Sequence, residues 1–75
     1  MLLILLNKYE FTAQGIRNAA FEEKIYKSMQ YSTIMRIWKR SKPLIEEIRR
    51  IEEIETIYQE FEWLAKRWEK KPLKK

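Results

Sequence analysis

Neither cysteine nor histidine occurs in this chain of 75 residues, and the two absences narrow how it can hold a fold. No disulfide and no thiolate metal site can supplement the core. At this length a single domain lies near the lower limit at which burial alone suffices. Ile, Leu and ten aromatic side chains must therefore supply the core, with self-association as the remaining aid. Aspartate is absent too, which removes most of the usual general acids and bases, nucleophile partners and metal ligands. Eleven glutamates remain, none in a recognisable pair with a nucleophile or ligand. No catalysis, metal or cofactor is expected.

Charge is divided along the chain. Residues 1–23 carry a net −1, residues 24–45 carry +6 without a single acid, residues 46–62 carry −5 and residues 63–75 carry +5. A modest total of +5 thus hides a concentrated basic centre and a basic tail, which favours an anionic partner. Richness in Ile, Glu and Lys, with two Asn and three Gln, is a bias of proteins from hot environments, and AT-rich coding produces it as well. Met1 to Leu6 is apolar, but six residues cannot span a bilayer and lack the layout of a signal peptide. They read as core material of a short first helix, and the protein as cytoplasmic without a membrane contact.

Within the basic centre, residues 31–40 form an amphipathic helix by pattern. Ile34, Ile37, Trp38 and Ser41 follow the 3.6-residue period on one side, and Ser32, Arg36, Lys39 and Arg40 fall mostly opposite. A helix that buries one face and shows small polar groups with Arg and Lys on the other suits a nucleic-acid groove. Arginine can bond a guanine edge bidentately, and lysine can neutralise phosphate.

Leu2 to Tyr9 gives about two inward-packed turns. Thr12 caps a second helix running to about Lys24, with Phe11 and Ile16 in staple positions, and Gly15 marks a close backbone approach. A connection at Ile25 to Ser28 leads to the basic helix, which Pro43 ends near Ser41. Beyond it, Ile45, Ile48, Ile51, Ile54 and Ile57 recur at every third residue, which drifts around a helix. From Ile51 the series Ile54, Tyr58, Phe61, Ala65, Trp68 settles onto one helical face. Periodicity therefore gives a helix from about Glu52 to Lys70, continuous from Leu44 if nothing breaks it. Pro72 and the lysines then end the order.

Three pieces in this sequence order resemble a winged helix-turn-helix domain. Thr-Ala-Gln-Gly-Ile at 12–16 is similar to the opening of that family's second helix. Tyr-Ser-Thr-Ile-Met-Arg-Ile-Trp-Lys-Arg at 31–40 is similar to its recognition helix, and Pro-Leu-Ile-Glu-Glu at 43–47 to the segment entering its wing. The likeness is to the small transcription regulators of archaeal plasmids and viruses.

The resemblance implies an α+β fold: three helices, a wing of two short strands near 44–49 and 53–58, and a C-terminal helix, over residues 1–70 with a basic tail at 71–75. The alternative is an all-α helix-turn-helix with a long C-terminal helix. Double-stranded DNA is the implied partner. Gln30, Tyr31, Ser32, Thr33, Met35, Arg36 and Lys39 then face the major groove on a recognition helix of about 29–41. Arg40 and Lys42 join Lys39 on phosphates, Arg49 and Arg50 sit near the wing tip, and Thr12, Gln14 and Arg17 meet backbone at a helix N-terminus. Control of the protein's own gene follows as an expectation. A homodimer, on DNA or through Trp63, Leu64 and Trp68 of the C-terminal helix, is compatible with it. A helical protein-interaction module using that same C-terminal face is the alternative function.

Overall fold

Leu6, Tyr9, Ala13 and Ile16 recur at steps of three and four and are all buried, so one continuous apolar face runs through the start of the chain. The computed structural model, which describes residues 2–73, accordingly has a single helix α1 at Leu2–Arg17. No helix breaker separates Tyr9 from Thr12, and the two helices expected there are one. Thr12 is buried in mid-helix, where its hydroxyl donates to the Lys8 carbonyl at 3.0 Å instead of capping. Phe11 is exposed while Ile16 is buried, so they form no staple. The apolar start packs inward only in part: Leu6 is sealed off, but Leu3, Ile4 and Leu5 reach the surface.

The second helix, α2, spans Glu23–Glu52. It starts before the expected connection at 25–28 and passes straight through Pro43. Proline removes the N–H that would serve the carbonyl four residues earlier. Here that carbonyl belongs to Lys39, whose residue is exposed, as is Pro43 itself, so the freed group lies on the solvent side. On the opposite side Ile34, Trp38, Ser41 and Ile45 are buried, and this packing holds the helix together across the proline. Ser41 fits the apolar face because its hydroxyl donates back to the Ile37 carbonyl at 2.6 Å.

The third helix, α3, covers Gln59–Lys70. No strand occurs among the described residues, so the α+β expectation with a wing is overturned and the all-α alternative is the one the molecule adopts. Residues 44–49 are α2, anchored by Ile45, and residues 53–58 are a turn. That turn lacks glycine, asparagine and aspartate. Glu53 and Tyr58 themselves take left-handed backbone, with φ of 55° and 57°, and the Ile54 amide donates to the Arg49 carbonyl at 3.2 Å to close the end of α2. The helix expected from Glu52 is thereby shortened, and Ile51 and Ile54 are exposed instead of joining its core face.

Helices α2 and α3 run antiparallel. Glu23 meets Arg67 and Trp68, Tyr31 lies 6.0 Å from Trp68, Trp38 stands edge-on to Phe61 at 5.6 Å, and Arg49 reaches Ile57 and Glu62. α1 packs mainly on α3 and barely meets α2. The core is therefore organised around Phe61, Leu64, Ala65 and Trp68, all fully buried. α3 has no side-chain cap of its own. Glu10 of α1 supplies one across the interface, accepting from the amides of Phe61 at 2.8 Å and Glu60 at 3.3 Å.

Candidate nucleic-acid interface

α3 packs along one side of α2 and leaves the other bare. Ile25, Met29, Ser32, Arg36, Arg40 and Pro43, three or four residues apart, make an exposed row with Lys39 on its flank, away from Ile34, Trp38 and Ile45. The four arginines outside the basic centre are engaged: Arg17 with Glu60, Arg49 with Glu62, Arg50 with Glu47 and Arg67 with Glu23. Among the described residues, no ion pair involves Arg36, Lys39, Arg40 or Lys42. Lys39 and Lys42 share the wall of a shallow groove between α2 and α3 with Glu69. Like charges at i, i+3 and i, i+4, as in Arg36–Lys39, Arg36–Arg40 and Lys39–Lys42, each cost a helix a few tenths of a kcal/mol. An anion lying along the row relieves that repulsion.

The expected groove-facing residues divide. Ser32 and Arg36 are exposed in the row. Thr33 is half-buried on its flank, and Gln30 is half-buried at the edge of a shallow depression with Ile25, Tyr26 and Met29. Tyr31 and Met35 turn towards α3: the Tyr31 ring packs on Trp68, and Met35 floors the groove beside Trp38. Ile34 and Trp38 anchor the helix to the core, with Ile37 half-buried against it.

The other expected contacts are displaced by the change of fold. Thr12, Gln14 and Arg17 sit in the middle and last turns of α1, not at a helix N-terminus. Thr12 is buried, Gln14 is exposed, and Arg17 is held to α3 by Glu60 at 3.0 Å and by the Trp63 ring at 5.3 Å. Arg49 is no wing residue. Its Nε donates to the Ile57 carbonyl at 2.8 Å, and its Nη2 makes an ion contact of 3.0 Å with Glu62 that is not aligned as a hydrogen bond. Arg50 forms an exposed fork with Glu47 one turn back. Of the apolar C-terminal residues, Leu64 and Trp68 are spent in the core and Trp63 reaches the surface in part.

Lys27 near the start of α2 and Arg67 near the end of α3 are tied to structure. The Lys27 ammonium donates to the Lys71 carbonyl beyond the last turn of α3. Glu23 accepts a fork from Arg67 at 2.8 and 3.0 Å and the Trp68 indole N–H at 2.9 Å. The Arg67 bond holds its carboxyl below the ordinary range, against partial burial. Burial pushes Glu62 up, but the Lys66 and Arg49 cations, each 3.0 Å away, outweigh it and its carboxyl also lies below the ordinary value. Lysines 74 and 75 lie outside the described residues.

Ile25 and Met29 were absent from the sequence-based set. They continue the row of Arg36 by whole helical steps, and they are legible once the helix is started at Glu23 instead of about residue 29. Among the described residues no group of three or more potential metal ligands converges, and no helix is long and apolar enough to cross a membrane.

A small all-helical domain with one bare cationic helix face is thus defined. The chain belongs to the family described as a domain of unknown function (DUF4760), whose model matches residues 2–68. No curated protein and no solved structure matches it.

Proposed function

We propose that this domain binds double-stranded DNA through the outward row of α2, with Arg36 directed at base edges and Lys39, Arg40 and Lys42 at phosphates. The observation that carries the reading is the contrast among its cations. In a chain with eleven glutamates, the arginines elsewhere are neutralised internally, while Arg36 and Arg40 stand exposed and unpaired among the described residues. A helix with one bare face also matches the width of a major groove, roughly 12 Å. The regulatory use expected from the winged fold loses its support with the wing. The binding reading rests on α2 alone.

Fluorescence anisotropy with a random duplex pool tests it. Neutralising three phosphates gives a log–log salt slope of about −3. Arg36→Ala flattens sequence preference, whereas Lys39→Ala weakens all duplexes about equally and lowers the slope by about one. Equal binding of wild type and an Arg36→Ala/Lys39→Ala/Arg40→Ala variant at low salt would overturn it.

A further inference from the structure

The cationic row does not begin with a charge. One and two turns before Ser32 it presents Met29, 72% exposed, and Ile25, 57% exposed, the former the most open large apolar side chain among the described residues. With Tyr26 and Gln30 they line one shallow depression, and the Tyr26 ring is fixed there by Phe21 at 5.5 Å. The Gln30 amide makes no hydrogen bond to protein among the described residues. An apolar dimple with an unengaged amide at its edge, continuous with unpaired Arg36 and Arg40, has a distinctive complement in duplex DNA. In the major groove thymine alone projects a methyl group, and adenine offers the N7 acceptor and N6 donor that a side-chain amide bonds bidentately.

We infer that this depression reads an A·T pair. Met29 and Ile25 receive the thymine 5-methyl, and Gln30 bonds the paired adenine, while Arg36 and Arg40 engage the duplex further along the same row. The inference rests on the DNA-binding reading and adds to it a base identity and the residues that read it. Continuity with the cationic row selects this occupant, because a polyanion engaging Arg36 and Arg40 lies along the same face as the dimple, roughly 10 Å further down the helix.

The test replaces thymine by deoxyuridine in a duplex enriched from the random pool, which deletes one methyl and nothing else. For wild-type protein the affinity should fall about three- to fivefold, the worth of one buried methyl-sized group. Met29→Ala should bind the thymine and deoxyuridine duplexes alike, with the salt slope unchanged. Equal wild-type affinity for the two duplexes, with Arg36→Ala still weakening binding, overturns the base-reading assignment and leaves the DNA reading standing. No binding to any duplex overturns both. Light scattering on the free proteins adds one more outcome: a wild-type dimer that Met29→Ala dissolves marks the dimple as a protein interface and also overturns the inference.

Discussion

Gly15 shows how one side chain's absence is used by another residue. A Cβ built there would lie 2.0 Å from the Phe21 ring, so the ring folds over bare backbone, between Phe11 at 5.7 Å and Tyr26 at 5.5 Å. The sequence suggests a close approach at this glycine, but the approaching group is an aromatic ring from the following turn, not a second backbone. Ring placement depends on the turn's dihedral angles, which no periodicity encodes. In a Phe21→Ala background, Gly15→Ala should stabilise the fold by about 1 kcal/mol, the ordinary helix-propensity gain. In the wild-type background that gain should be offset by eviction of the ring, and a double-mutant cycle in urea measures the difference. Ala19 and Glu53 hold left-handed backbone, at φ 59° and 55°, where an L side chain costs roughly 1–2 kcal/mol. Part of that returns as unfolded-state entropy when glycine is substituted. Ala19→Gly or Glu53→Gly should therefore each raise stability by about 0.5–1 kcal/mol, and an unchanged urea midpoint would contradict the strain.

Between elements, charged side chains act as ties. Arg49 fastens the turn at Ile57 and α3 at Glu62 to the last turns of α2. Arg49→Ala should destabilise the fold by about 1–3 kcal/mol, because the Ile57 carbonyl and the half-buried carboxylate are left without it. Its effect on DNA affinity at full folding should be small, the reverse of what a wing arginine would show. Glu10→Ala removes the borrowed cap of α3 and should cost about 1 kcal/mol. Glu23 and Glu62 give the pH dependence. Both carboxyls are held below their ordinary value, so the stability they contribute is complete above the unfolded value, roughly 4.3. It is lost as pH falls through the lowered folded values. Thermal melts should fall below about pH 4.3, and more shallowly for Glu23→Gln. At this scale the sequence was partly readable. The faces of α1, α2 and α3 follow from spacing. Pro43 misleads because packing by Trp38 and Ile45 on the far side outweighs one missing hydrogen bond, and the 53–58 turn is built from residues that ordinarily avoid left-handed backbone. The wing expectation failed at these two places.

Across the whole molecule, the bare side of α2 is a consequence of topology: α1 and α3 share the core, and α2 gives it one face only. The cationic row was legible because a charge run needs no tertiary knowledge, and Arg36 opposite Trp38 follows from helical spacing. Its apolar beginning was not, because locating Ile25 and Met29 requires knowing where α2 starts. α3 has a further effect. The last helix in the chain is the one that the first two grip, and those two scarcely touch each other. During synthesis, a nascent polypeptide that ends at Tyr58 owns two amphipathic rods joined chiefly at the Phe11, Phe21 and Tyr26 rings. Such a truncation should remain unstructured by near-ultraviolet dichroism, and this architecture can form only once α3 has been synthesised.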